Sequence, residues 1–294
     1  MPRSSLKWIY LCLLALVWGS SFILIKKGLV GLTALQVGSL RTVFAALFLA
    51  LIGLGSLKHI KGKQWMWIGI SGFFGTFFPA YLFSFAETEI DSAIVSILNS
   101  TTPLLSMLVG IILFEAAFVK KKFLGVMVGL AGTTALIWSG ATVNPDQNYW
   151  YSLLVILASL FYGFNANIIK KHLQNLPALA ITTGNFMVIA IPALIVLAST
   201  GFFSAETLSA PNVPMSLVYI GILGVVGTGA ALIVFNKLIQ ISDPVFSTSV
   251  TYLVPIVAVG WGVLDGEEFS FVQILSGVVI IIGVLIVNSR KKIS

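Results

Sequence analysis

Ser96, Asn99, Ser100, Thr101 and Thr102 crowd the chain just before Pro103, and Ser247, Thr248, Ser249, Thr251 and Tyr252 stand in the same relation to Pro255. Hydroxyls and carboxamides of this kind hold a polar ligand by hydrogen bonds; making or breaking a covalent bond would need a base or a metal beside them. Both clusters lie in apolar runs, where hydrocarbon offers no partners and each polar group must find one in the protein or in what the protein binds. Proline adds to the supply, because its missing N–H frees a carbonyl one turn earlier. Two Pro-interrupted segments at corresponding places in a chain point to a binding site near the bilayer midplane, with Pro103 and Pro255 as hinges. The candidate ligand-binding residues are therefore Ser96, Asn99 and Thr102 from the first cluster and Ser249 and Tyr252 from the second. The competing expectation is that the hydroxyls bond back to their own helix or join neighbouring helices.

Arg41 is the charge set deepest in an apolar segment, roughly 10 Å in at about 1.5 Å per residue. A guanidinium there must be paired or wet. It could clamp a carboxylate through two N–H donors. The favoured expectation is that it snorkels outward or bonds backbone carbonyls, as long cationic side chains readily do. Trp18 and Tyr162 could stack on the apolar part of a ligand while Asn165 orients its polar end, against the commoner fate of membrane aromatics as packing or interfacial anchors. Tyr81, beside Pro79, is a candidate of the same type.

These residues need long apolar elements to hold them. Of 294 residues, 58% are hydrophobic and 9% charged, with a mean hydropathy of +1.03; soluble domains carry roughly 25% charged residues. A helix of about 20 apolar residues crosses the hydrocarbon, which leaves room for about ten and for no separate soluble domain. The apolar runs are Lys7 to Ile25, Ala34 to Leu54, Gln64 to Phe85, Ser92 to Phe114, Phe123 to Trp138, Tyr149 to Ile169, Ala178 to Ala198, Met215 to Asn236, Val245 to Leu264 and Phe271 to Asn288. The first is retained as a helix, since no small-x-small cleavage site follows it. With both termini inside, 14 of the 17 Lys and Arg are cytoplasmic and only Lys26 and Lys27 lie outside. The positive-inside rule thus predicts cytoplasmic termini in an inner or plasma membrane. The net charge of +7 is scattered between apolar segments, which argues against nucleic acid as a partner. Cys12 stands alone, and His59 and His172 lie in lysine-bearing stretches, so no metal site or cofactor is expected.

A self-comparison finds a repeat. An offset of 144 lays Trp18-Gly19 on Tyr162-Gly163 and Lys26-Lys27 on Lys170-Lys171; an offset of 152 lays Ile68 to Thr76 on Ile220 to Thr228 and pairs Asp91 with Asp243, Pro103 with Pro255, Gly110 with Gly262 and Glu115 with Glu267. Residues 1–144 and 145–294 are read as two copies of a five-helix unit. Five is odd, so the second copy enters the membrane from the other face, and inverted repeats supply the two nearly equal arrangements that alternating access requires. The predicted fold is an all-α membrane protein of ten transmembrane helices in two inverted five-helix repeats around a central cavity.

The run from Gly221 to Val287 resembles the EamA-type transporters of the drug/metabolite transporter superfamily, with Gly224 and Gly227, Asp243, Pro255, Gly266-Glu267-Glu268, Gly277 and Gly283. The first half repeats the pattern in Gly72, Gly75, Asp91, Pro103, Glu115 and Gly125, departing from it at Phe114, where the family usually has Gly. The resemblance implies a secondary transporter that exports small metabolites, amino acids or related compounds foremost, with a lipid-linked substrate flippase or drug efflux carrier as the alternative.

Rival classes fare worse. Gly69-Ile70-Ser71-Gly72 reads as the G-x-S-G element of an intramembrane protease, but no His lies within a span, and Leu223 stands where the repeat would place a second Ser; a nucleophile without a base does no chemistry. A passive channel would want a continuous polar pore. The Gly69, Gly72, Gly75 ladder and its copy Gly221, Gly224, Gly227 are read as close helix packing. Every Asp and Glu falls at a predicted helix end or in a loop, with Glu87 and Glu115 nearest a span, so proton coupling and facilitated exchange both stay open, as does the oligomeric state.

Overall fold

The computed structural model describes residues 3–118, 120–143, 146–267 and 270–288, and these are helical with short connections. Among the described residues, eight helical stretches are long and apolar enough to cross a membrane: α1 (Arg3–Gly28), α2 (Ala34–His59), α3 (Gln64–Ala86), α4 (Ser92–Phe114), then, after α5 (Lys120–Val143), α6 (Tyr149–Leu173), α7 (Ala178–Ser199), α8 (Val213–Ile241) and α9 (Pro244–Leu264). The last helix is α10 (Phe271–Asn288), which packs along α5. Most helices overrun their apolar segments by a turn or less, because the backbone hydrogen-bond ladder continues through polar residues at the membrane interface. Side chains such as Leu51, Leu264, Trp138 and Phe271, each more than three-quarters exposed, face outward. A belt of that kind needs a bilayer around it.

Local chemistry sets the helix ends. Thr33 and Gln36 form a capping box at the start of α2, each satisfying a donor of the other. The Asp243 side chain caps α9 by accepting from the Phe246 N–H at 3.0 Å. Its repeat partner Asp91 precedes α4 but accepts from Gln147 Nε2 at 2.8 Å instead. Lys170 caps the far end of α8, donating to the carbonyls of Ile239 (3.3 Å) and Ser242 (2.7 Å), the favourable placement of a cation at a helix C-terminus.

Four helices are interrupted at matching positions of the two halves. In α4 the α-helical ladder stops after Asn99 and resumes at Thr102; in α9 it stops after Thr248, passes through a 3₁₀ turn over Ser249–Tyr252 and resumes at Val254. Pro103 and Pro255 each sit in the first turn of the resumed segment, where a missing N–H costs nothing. Wide π turns replace α geometry at Phe73–Phe77 in α3 and Leu223–Ala230 in α8, a device that often marks functional positions.

Glycines let the rods approach. A Cβ on Gly163 of α6 would lie 2.7 Å from the backbone N and Cα of Ser106 in α4, and one on Gly19 of α1 would lie 2.9 Å from the Val254 carbonyl in α9. The ladder glycines divide: Gly72, Gly75, Gly224 and Gly227 meet neighbours closely, whereas Gly221 faces open space and Gly69 has only an ordinary contact. Close packing therefore explains four of the six.

The turn after α4 corrects the pairing of Glu115 with Glu267. Glu115 is the one described non-glycine residue at positive φ (58°), and Gly266 holds the same left-handed position (85°) after α9. The Ala116 N–H then bonds the Gly110 carbonyl at 3.0 Å as the Glu267 N–H bonds that of Gly262 at 2.9 Å. Ala116, not Glu115, thus occupies the place of Glu267.

Candidate functional site: a central cavity and a charged latch

A cavity of about 790 Å³, counting the space at its mouth, lies among α1, α2, α3, α4, α6, α8 and α9. Helix α1 contributes Trp18, Ser21, Phe22 and Ile25, and α6 contributes Tyr162 and Asn165. The broken helices present Asn99 and Thr102 from α4 and Thr248, Val250 and Thr251 from α9; the π turns present Gly75 with Thr76, and Gly227 with Thr228.

Arg41 is the one charged residue in that wall. It is only 9% exposed and its Nε donates to Thr228 Oγ1 at 2.7 Å; the Tyr162 hydroxyl lies against its guanidinium. The expectation that it snorkels outward or bonds carbonyls is overturned. The physical reason is close approach: Gly224 brings α8 against α2 so tightly that a Cβ there would lie 2.9 Å from the Arg41 carbonyl, and the π turn aims Thr228 at the guanidinium. Thr228 in turn bonds the Leu223 carbonyl at 3.0 Å.

The remaining groups are oriented too. Trp18 donates its indole N–H to the Gly227 carbonyl at 3.0 Å and meets Phe235 edge to face. Asn165 accepts from the Ser71 hydroxyl at 2.7 Å, so Ser71 serves as a support, with the Asn185 amide 3.1 Å from its other side. Thr102 Oγ1 lies 2.6 Å from the Asn99 carbonyl and 3.1 Å from its Oδ1, and Ser159 reaches that Oδ1 at 3.4 Å. An Arg in a wall of aromatic faces, hydroxyls and amides can bind an anion with an apolar body.

Six of the ten candidate residues, Trp18, Arg41, Asn99, Thr102, Tyr162 and Asn165, meet at this cavity. Four do not. Ser96 and Ser249 donate to the Ala93 and Phe246 carbonyls of their own helices, both at 2.6 Å; Tyr81 pairs with Ser39 at 2.9 Å between α3 and α2; and Tyr252 is buried with its hydroxyl enclosed. Thr76, Thr228, Thr248 and Thr251 take their place. The repeat offset of 152 points to two of them, since it pairs Thr251 with Asn99 and Thr248 with Ser96, whereas it pairs Thr76 only with Thr228 and so signals neither.

A second assembly ties the end of α1 to the turn after α9 and the start of α4. Lys26, at the end of α1, reaches Asp265 at 2.9 Å and Glu267 at 2.8 Å beyond α9, and Lys27 also pairs with Asp265. Glu267 additionally accepts from Ser92 Oγ at 2.8 Å and from the Ala93 N–H at the start of α4. Lys27, with Lys26 beside it, holds the Asp265 carboxyl below its usual range. By linkage the Asp265 contribution is fully present above that usual range and is lost as pH falls below it, through the lowered value. Glu267→Gln removes the buried charge and one of its two acceptor oxygens, and the amides of residues 88–93 are expected to exchange with solvent roughly tenfold faster, the effect of losing about 1.4 kcal/mol of local closure. Hydrogen exchange followed by mass spectrometry checks it, and unchanged protection would rule out a latch.

Residues 6–138 and, again, 149–289 match the EamA-like transporter family. The uncharacterized transporter YdfC of Bacillus subtilis (strain 168) is 28% identical over 294 residues, spanning 94% of this chain and 90% of its own. The probable amino-acid metabolite efflux pump of Salmonella typhimurium is 25% identical over 287 residues, 93% of this chain and 92% of its own. One solved crystal structure superposes with a TM-score of 0.68 over 97% of this chain and 98% of its own at 18% identity, a likeness of fold. These relatives are named as transporters, not enzymes. This multi-pass helical bundle with a central cavity, matched twice along its length, belongs to the EamA-like transporter family.

Proposed function

We propose that the protein is a secondary transporter that exports small carboxylate-bearing metabolites, amino acids and related compounds foremost, by alternating access. The observation that carries this reading is Arg41, the single charge in the described cavity wall, held by Thr228 and surrounded by aromatic faces. A cation with no acidic partner in the cavity wants a carboxylate, and its planar fork matches one in geometry. The Salmonella relative's name supports the amino-acid class. In this reading α5 and α10 are the ninth and tenth spans, residues 1–144 and 145–294 form inverted five-helix repeats, and the broken α4 and α9 turn about Pro103 and Pro255. Pairwise placement of Trp18 with Tyr162, Asn99 with Thr251 and Thr76 with Thr228 around one cavity supports it. The termini are cytoplasmic, so the Lys26–Glu267 latch is the outer gate, closed here. The inner end has Ala116 where the outer has Glu267, and Lys170 of α6 joins the end of α8 through backbone carbonyls where Lys26 pairs with carboxylates.

Counterflow in proteoliposomes tests this. Vesicles loaded with unlabelled carboxylates are expected to accumulate labelled tracer saturably, and Asn99→Ala, which removes an amide from the wall, is expected to lower the rate about tenfold, the cost of roughly one hydrogen bond. Exchange restricted to uncharged compounds or lipid-linked substrates would refute the carboxylate assignment.

A further inference from the structure

The outer gate contains a titratable group that neither the cavity nor the latch uses. Glu87 follows the last residue of α3 and lies one turn beyond Phe83, which lines the cavity. It is 8% exposed, and both carboxylate oxygens are enclosed by protein with no hydrogen-bond partner among the described residues. An ionised carboxylate in that setting forfeits its hydration without compensation, whereas the neutral acid forfeits far less.

The charges acting on it come from three elements: Glu267 from the turn after α9, Arg41 from α2 and Lys26 from α1. Both cations are engaged elsewhere, Arg41 with Thr228 and Lys26 with Asp265 and Glu267. Enclosure, reinforced by Glu267, prevails over them and pushes the Glu87 carboxyl well above its ordinary 4.5. Neighbouring Asp91 differs in having a donor, Gln147, at 2.8 Å.

We propose that Glu87 is a proton-binding site of the outer gate, occupied when that end is closed and emptied to the external water when it opens. The proton adds to one carboxylate oxygen on closure and leaves as hydronium on opening, so the balance is one proton per gate movement. Closing then draws on the external proton supply, and the closed end weakens as pH climbs from the ordinary carboxylate range toward the raised value. At the inner end the offset of 152 places Ile239, which carries no titratable group. The consequence for transport rests on the alternating-access reading; the proton site itself does not.

Two measurements on the full-length protein in liposomes separate these. Infrared difference spectra at pH values just above the ordinary carboxylate range are expected to show a protonated carboxylic-acid band that E87Q removes and D91N retains; if E87Q leaves the spectrum unchanged, the site does not exist. In counterflow, wild-type exchange is expected to slow as external pH rises, by up to about tenfold per pH unit over the range where the infrared band fades, the slope of a one-proton linkage. E87Q, a mimic of the neutral acid, is expected to stay at the low-pH rate throughout. If E87Q keeps the wild-type pH dependence, Glu87 is not the linked group even if its band titrates. If the carboxylate panel shows no exchange while the band behaves as expected, the substrate assignment fails and the proton site stands.

Discussion

Arg41→Gln is expected to weaken exchange of carboxylate substrates by roughly 30- to 900-fold in kcat/KM, the equivalent of about 2–4 kcal/mol for a desolvated, hydrogen-bonded charge. The loss is expected to be selective. Uncharged analogues, with an amide or ester in place of the carboxylate, gain nothing from the guanidinium and are expected to exchange at rates within a few-fold of wild type. Arg41→Lys keeps the charge but loses the planar fork and the 2.7 Å bond to Thr228, so an intermediate loss is expected. Folding is not at stake, because removing a buried cation that has no acidic partner in the cavity wall relieves a desolvation cost. The melting temperature in detergent is therefore expected to hold or rise. A variant that exchanges carboxylates with wild-type kinetics would leave Arg41 a structural residue.

Gly163→Ala is expected to show the largest loss of stability, about 3 kcal/mol. The added methyl would stand 2.7 Å from backbone atoms of Ser106 and 3.2 Å from the Leu105 carbonyl carbon. Backbone cannot rotate aside, so α6 must move off α4, at the upper end of the cost of overpacking. That shift also breaks the bond from Asn167 Nδ2 to the Ser106 carbonyl (3.0 Å) and displaces Tyr162 from the cavity wall. Gly221→Ala, in contrast, meets nothing within 4 Å and is expected to be neutral or stabilising by up to about 1 kcal/mol through helix propensity. Thermal unfolding of the two variants side by side distinguishes steric packing from glycine flexibility; equal effects would contradict the packing assignment.

The helices themselves were legible in sequence because uninterrupted apolar runs leave the backbone no alternative in hydrocarbon, and α4 and α10 begin and end where their apolar runs do. Which side of each helix faces the cavity was not. In α4 the polar residues at 96 and 99–102 surround the axis, so composition names the turn but not the face; Asn99 and Thr102 point inward while Ser96 bonds its own backbone. Thr76 and Thr228 escaped notice because their glycine-rich stretches read as packing. A regular period of 3.6 residues gives no warning of a π turn, and the π turns are what carry both threonines to the wall. Arg41 was misjudged for a related reason: its partner lies 187 residues away, and the Gly224 contact that traps it depends on tertiary approach. The offset of 152 pairs wall residues in Asn99 with Thr251 and in Thr76 with Thr228, but it pairs Thr248 with Ser96, which lies outside the wall, and it slips by one at the turn after α4, where Glu115 rather than a glycine adopts the left-handed conformation.

Alternating access is tested most directly by asking from which side the cavity can be reached. In a Cys12→Ser background, Thr251→Cys places one thiol in the cavity wall. Membrane-impermeant thiol reagents applied to either face of proteoliposomes are expected to label it, each at a rate that conditions favouring the other face reduce, and saturating substrate is expected to protect it from both. Simultaneous, mutually indifferent labelling from both sides would indicate an open channel, and labelling from one side alone would indicate a fixed pocket; either result would contradict the account.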